Sequence, residues 1–84
     1  MENDLHNKIA VLAIIISNAE AVGEVNAILH DFRDYVIARQ GVPYKERGIN
    51  LISLFLDAPQ QVLNSLSGKL GMINGVSSKL LNTK

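Results

Sequence analysis

The feature of this sequence that most restricts its fold is an uninterrupted apolar run of eight residues, Ile9 to Ile16. The run is rich in β-branched residues and too short for a typical helix, so residues 8–16 are predicted to form a buried β-strand. It is also far shorter than the roughly 20 residues of a membrane-spanning helix. A strand with one wet face has a polar residue at every second position, and this run has none. Both faces of the strand are therefore predicted to be covered.

A secretory signal peptide is the alternative interpretation of this run. Ala19-Glu20-Ala21 resembles a cleavage site, but Glu2 and Asp4 lie where a signal peptide carries net positive charge. Residues 1–7 are instead predicted to be a flexible N-terminal tail. The sequence contains no cysteine, which excludes disulfides and fits a cytoplasmic protein.

The residues after the run predict a helix and then a second strand. Ser17 and Glu20 have the spacing of a capping box, in which a hydroxyl and a carboxylate satisfy free backbone donors at a helix start. Apolar residues at three- and four-residue intervals then carry the helix to about residues 30–32. A β-favouring stretch over 35–40 follows, and residues 41–48 have the glycine, proline and charge of a hairpin loop.

The second half of the sequence predicts a strand, a helix and a last strand. An apolar run over 49–56 predicts another buried strand, antiparallel to its predecessor. Asp57, with Gln60 three residues later, predicts the start of a second helix, and Gly71 predicts its end. Residues 76–81 alternate well enough to form a strand.

This order of elements, β-α-β-β-α-β, predicts one α+β domain of the ferredoxin-like kind over residues 1–84. Right-handed crossovers give an antiparallel sheet of order 4-1-3-2 with both helices on one face. The predicted central strands are the most apolar, as that order requires. The predicted edge strands carry the polar residues Arg39, Gln40, Ser77, Ser78 and Lys79.

The central strands are apolar on both parities, although the helices cover only one face of the predicted sheet. The other apolar face needs a cover, and a second copy of the chain is the simplest one. The sequence therefore predicts a homodimer or tetramer. The candidate interface residues are Leu12, Ile14, Ile52 and Leu54.

No set of residues predicts catalysis, and no cofactor is expected. There is no cysteine, and the serines are accounted for as caps, turns and strand positions, which leaves no nucleophile with a base. His6 and His30 are the only histidines, so a metal site would need carboxylates or a second copy to complete it. His30 has a structural alternative, as a cation at a helix C-terminus.

The charged residues are balanced and scattered. Eight Lys and Arg match eight Asp and Glu, so no net positive field attracts a nucleic-acid backbone or an acidic membrane surface. We therefore expect neither autonomous DNA binding nor membrane association.

Two segments are candidate recognition sites. The hairpin loop presents aromatic and charged side chains that packing does not require, and its candidate residues are Gly41, Pro43, Tyr44, Lys45 and Arg47. A solvated hairpin tip is the alternative interpretation. Ser17 and Asn18 are candidates for binding an anionic effector, because free N–H groups at a helix start suit an anion. Capping is the structural alternative for Ser17.

Three blocks of the sequence resemble a known family. They are residues 39–44 (RQGVPY), residues 48–54 (GINLISL), and residues 66–71 (LSGKLG) with 75–77 (GVS). In content and spacing, these blocks resemble small proteins named as regulators of iron-only hydrogenase systems, and the similarity covers nearly the whole chain.

The resemblance implies an ACT-like domain, similar to the C-terminal ligand-binding domain of the nickel-responsive repressor, that forms dimers or tetramers and acts as a regulator. The sequence lacks that repressor's ribbon-helix-helix segment and its set of histidine and cysteine ligands, so neither direct DNA binding nor nickel sensing is expected. The leading hypothesis is an oligomeric regulatory domain that senses a small-molecule effector between subunits. The alternative is a structural or protein-interaction subunit without a small-molecule ligand.

Overall fold

Four strands and two α-helices make up residues 7–83, the part of the chain that a computed structural model describes. The elements are β1 (Asn7–Ile16), α1 (Val22–Asp31), β2 (Val36–Tyr44), β3 (Ile49–Pro59), α2 (Gln60–Gly71) and β4 (Val76–Asn82). Residues 1–6, including His6, lie outside the described part. Asn7 was predicted to be the last residue of the tail but belongs to β1. Within residues 7–83, neither helix has the length and apolar content needed to span a membrane.

The four strands form one antiparallel sheet in the order β2-β3-β1-β4. This is the predicted order read from the opposite edge, so the α+β fold is confirmed. β1 and β4 come from opposite ends of the described chain and lie side by side. At the end of this pair, the backbone N–H of Thr83 donates to the carbonyl oxygen of Ile9 at 3.0 Å, and the Thr83 hydroxyl accepts from the Ile9 N–H at 3.3 Å.

The core lies between one face of the sheet and the two helices. Side chains alternate faces along a strand, and the even-numbered residues of β1 and β3 are the buried ones. They form a single cluster with apolar residues of the helices, which include Val25, Leu29, Leu63, Leu66 and Leu70. Each helix therefore contributes one apolar stripe to the same core.

The four residues predicted to form an interface between copies belong to this core. Leu12, Ile14, Ile52 and Leu54 are at most 7% exposed. Their side chains pack within one copy, beneath the helices, so they are not available to a second copy. The odd-numbered residues of the same strands face away from the helices.

Two strands extend at least three residues past their predicted ends. β2 continues past residue 40 to Tyr44, so the predicted hairpin loop over 41–48 is reduced to the 3-10 turn Lys45–Arg47 and Gly48. β3 continues to Pro59, because Asp57 pairs with Ile9 of β1 rather than capping a helix. Pro59 precedes the first residue of α2 and stands at its N-cap.

The first helix begins differently from the predicted capping box. Asn18, not Ser17, caps the 3-10 turn that leads into α1, and its Oδ1 accepts from the N–H of Glu20 at 3.1 Å. Ser17 instead contacts Gly75, whose carbonyl oxygen accepts from the Ser17 N–H at 2.8 Å and from its hydroxyl at 3.1 Å. Gly75 has a φ of 83°, in the left-handed region. This close approach joins the end of β1 to the turn before β4.

Candidate functional site

The sheet face opposite the helices is open and largely apolar. Its exposed side chains include Phe55 on β3, Ile15 on β1 and Leu81 on β4, with exposed fractions of 50%, 45% and 72%. Leu54, the neighbour of Phe55, is 1% exposed because it points to the other face. Large side chains of this kind on adjacent strands form a continuous apolar patch, which monomeric proteins rarely expose.

The strand register arranges this open face as two apolar ridges with a groove between them. The first ridge crosses the sheet through Leu81, Val11, Phe55 and Ala38. The second crosses it through Ile15, Leu51 and Val42. The row between the ridges has the small residues Ala13 and Ser53 at its centre and Lys79 and Gln40 at its two ends.

The small residues in the middle row leave depressions along the groove. One of about 240 Å³ is lined by Gln40, Ser53 and Phe55, and another of about 380 Å³ by Ala13, Ile15 and Leu51 among others. The centre of the open face is largely apolar, and its polar side chains lie on the edge strands, in the groove at Ser53 and near the end of β3 at Asp57. Protein interfaces also combine an apolar core with a polar rim.

A second feature, on the helix side of the sheet, is a cleft between α1 and β2. This basic cleft has a volume of about 380 Å³ and is lined by Asn26, Leu29, His30, Arg33, Val36, Arg39 and Leu54. Leu29 and Leu54 are buried core residues and form its floor. The polar lining residues are exposed, and none of them is a carboxylate.

The elements on each side bring these polar residues together. Asn26 and His30 are one turn apart on α1, and Arg33 follows in the 3-10 turn after it. Arg39 pairs with Leu54, so it lies on the helix side of β2, where its Nη2 donates to Asn26 Oδ1 at 2.6 Å. The Nη1 of Arg33 donates to the carbonyl oxygen of His30 at 2.9 Å.

The sequence prediction missed this cleft. His30 was considered only as a metal ligand or a helix-end cation, and Arg39 only as an edge-strand residue. The available signal was the spacing of basic residues at 30, 33 and 39 around one helix–strand connection. To recognise this signal, one must know which residues of β2 face the helices. The bulge between Val36 and Ala38 changes the face on which the later residues of β2 lie, and no sequence pattern indicates this bulge.

The predicted recognition residues of the hairpin are all exposed, but they do not form one site. Tyr44 pairs with Ile49 and lies on the open-face side of β2. Gly41 and Pro43 lie on the other side, where they line a recess of about 160 Å³ next to the basic cleft. Lys45 and Arg47 belong to the turn. Recognition by this hairpin stays a prediction.

Ser17 and Asn18, the predicted anion site, both have structural partners. The Ser17 hydroxyl donates to Gly75, and the Asn18 side chain caps the following turn. Anion binding by these two residues stays a prediction. Between residues 7 and 83, no three His, Asp or Glu side chains are grouped so as to hold a metal ion.

The sequence over residues 8–80 matches the profile of the TM1266-like family, described as "Iron-only hydrogenase system regulator, putative". The chain belongs to this family. It is similar to the solved structure of the uncharacterized protein TM1266 from Thermotoga maritima, with 33% identity and a TM-score of 0.88. That match covers 93% of this chain and 99% of the other.

A formyltetrahydrofolate deformylase from Pseudomonas putida KT2440 shares only the fold with this TM1266-like protein. The TM-score is 0.62 at 15% identity, and the match covers 86% of this chain but 28% of the deformylase. No curated protein sequence gives a significant match. The resemblance to hydrogenase-system regulators stated from the sequence is therefore confirmed at the level of the family.

Proposed function

We propose that this TM1266-like protein is a non-enzymatic regulatory domain that works as an assembly of its own copies, packed through the open face, and responds to a small-molecule effector. The observation that carries the proposal is the apolar centre of the open face. Covering a half-exposed phenylalanine or isoleucine is worth about 1 kcal/mol. Several such residues lie side by side on the two ridges, so their joint burial gives an association a substantial driving force.

A second copy of the chain fits this surface because the surface complements itself. Bulky residues of one ridge can lie in the groove of a facing copy, where Ala13 and Ser53 leave room. Sheets stack face to face about 10 Å apart, and a two-fold axis would give both copies the same contacts. A different protein on the same face would make the chain an interaction subunit without an effector.

The regulatory role is supported by the family description, which names a hydrogenase-system regulator and no reaction. An effector can control an assembly only if it binds one state of association more tightly than the other. We place this function in the cytoplasm, because a chain without cysteine has no disulfide that would require an oxidising compartment. We also propose that the domain acts without contacting DNA by itself, since its formal net charge is zero.

Phe55→Lys is expected to convert the assembly to a monomer. The substitution places an ammonium group at the centre of the first ridge, where a facing copy would have to desolvate it. Light scattering coupled to size exclusion should give a multiple of 9.2 kDa for the wild type and 9.2 kDa for the variant. The far-UV circular dichroism spectrum should be the same for both, because Phe55 is not part of the core.

Met72→Lys is the matched control for this experiment. Met72 is 88% exposed and lies at the end of α2, away from the open face, so the same charge there should leave the mass unchanged. A wild type of 9.2 kDa at micromolar concentration would contradict the proposal. So would an oligomer whose mass is unaffected by Phe55→Lys.

A further inference from the structure

The basic cleft has a concentration of positive charge that the fold itself does not require. Arg33, Arg39 and His30 all line it, and none of the lining residues in the described part of the chain is a carboxylate. Arginine side chains on a protein surface commonly pair with Asp or Glu, and here the acceptors are instead an amide oxygen and a backbone carbonyl. From this arrangement we infer that the basic cleft binds a small organic molecule through a carboxylate or phosphate group.

The hydrogen bonds described above use only some of the N–H donors of the Arg33 and Arg39 guanidinium groups. Each has five N–H donors in a fixed fork, and each gives one hydrogen bond to a residue of the described chain. The bond from Arg33 to the His30 carbonyl helps to end α1, which is a structural role. This hydrogen bond uses only one N–H donor of Arg33, so its other donors remain available to an oxygen-bearing anion. Arg39 likewise uses one donor, in its hydrogen bond to Asn26.

The same hydrogen bonds hold the two arginines in place. Asn26 positions the guanidinium of Arg39 over the cleft, and the His30 carbonyl positions that of Arg33. A planar fork fixed in advance loses less side-chain entropy when it binds a carboxylate or phosphate in a bidentate manner. The cleft is therefore organised for an anion before the anion arrives.

The size and floor of the cleft favour a small molecule over a macromolecule. Its volume of about 380 Å³ is at the lower end of ligand pockets, and Leu29, Val36 and Leu54 give it an apolar floor. A molecule with a short carbon skeleton and an anionic end would contact both the floor and the arginines. A nucleic acid would need a longer track of cations, and no other Lys or Arg among residues 7–83 lines this cleft.

This inference deepens the proposed function, because it rests on the existence of an effector and names its chemical class and its site. The cleft is built entirely within one copy of the chain, on the side of the sheet away from the open face. Binding and assembly can therefore be tested separately on the same protein.

A titration followed by ¹⁵N nuclear magnetic resonance tests the inference. Inorganic phosphate and succinate are added in separate experiments to distinguish a phosphate ligand from a carboxylate ligand, and glycerol serves as the uncharged control. At least one anion should give saturable shifts in the amides of Asn26, Arg33 and Arg39, and glycerol should give none. Arg39→Gln should weaken that binding by at least about tenfold, as expected for loss of a charged hydrogen bond.

Lys69→Gln is the matched control, because it removes one positive charge from an exposed position in the last turn of α2, outside the lining of the cleft. It should leave the affinity within about twofold, since charges exposed to solvent at a distance are screened. Arg39→Lys keeps the charge but loses the fork, so an intermediate affinity is expected even if Arg39→Gln reduces stability. Chemical shift changes that do not saturate, or equal losses of affinity in Arg39→Gln and Lys69→Gln, would overturn the inference.

Repeating the titration on Phe55→Lys separates the two hypotheses. Saturable shifts at the cleft in a protein of 9.2 kDa would support the anion site whatever the state of assembly. If the wild type is an oligomer that binds neither anion, the hypothesis of self-assembly stands and the hypothesis of an anion site in the basic cleft is wrong.

Discussion

Leu12→Lys is expected to unfold the protein, whereas Ile15→Lys, three residues later on the same strand, leaves it folded. Leu12 is 0% exposed and lies under the helices, while Ile15 is 45% exposed on the open face. Truncating a buried leucine already costs about 2–5 kcal/mol, and burying an unpaired ammonium adds several more. A domain of this size has a free energy of unfolding of roughly 4–12 kcal/mol, so the loss is comparable to the whole.

Thermal melts followed by circular dichroism would measure this difference. Ile15→Lys should retain a cooperative transition, and Leu12→Lys should show none or a transition far below that of the wild type. Ile15→Lys should also weaken self-association, because it changes the second ridge. If the two variants melt at the same temperature, the assignment of the even parity to the helix side is wrong.

Gly75→Ala is expected to destabilise the protein by about 2–5 kcal/mol, the second largest effect. Its φ of 83° costs an L-residue roughly 1–2 kcal/mol, and the added methyl group has no room. An alanine Cβ at this position would lie 2.5 Å from the Cβ of Asn18 and 3.3 Å from its backbone nitrogen. Relieving that contact moves the segment that Ser17 and Gly75 hold together, at a further cost of about 1–3 kcal/mol.

Gly48→Ala separates the two causes. Gly48 has a φ of 66°, but a Cβ there meets nothing within 4 Å, so only the conformational cost of roughly 1–2 kcal/mol applies. At about 4–8 °C per kcal/mol for a domain of this size, Gly75→Ala should lower the melting temperature by about twice as much as Gly48→Ala. If both substitutions lower the melting temperature equally, Asn18 must move away from the added methyl group without loss of stability.

The element types and the sheet order were predictable, because the spacing of apolar residues along the sequence indicates which segments are helices and which are strands. Apolar runs with few or no polar residues identify the central strands, and the predicted order requires those strands to lie inside the sheet. The boundaries were less predictable. Asp57 has the pattern of a helix cap, but β3 continues past it to Pro59, because residues 57–59 pair with β1.

Which residues of the central strands face the helices was also difficult to predict, although the sequence contains a signal. Ser53 and Asp57 interrupt the odd parity of β3, whereas the even parity stays apolar from Ile52 to Ala58 and is the face that the helices cover. The sequence analysis nevertheless predicted that even-numbered residues of these strands form the interface between copies. The basic cleft could not be predicted at all, since the three basic residues come together only through the bulge in β2 and the packing of α1 above it.

The two hydrogen bonds between Thr83 and Ile9 have a consequence for the connectivity of the chain. They bring the two ends of the described sheet within hydrogen-bonding distance, so a short flexible linker could join them with little loop-closure entropy. New termini would then belong in the exposed turn Lys45–Arg47, which carries no core residue. In such a circular permutant β4 and β1 would form a local hairpin, and β2 would become the strand that must find its partner across the whole length of the polypeptide.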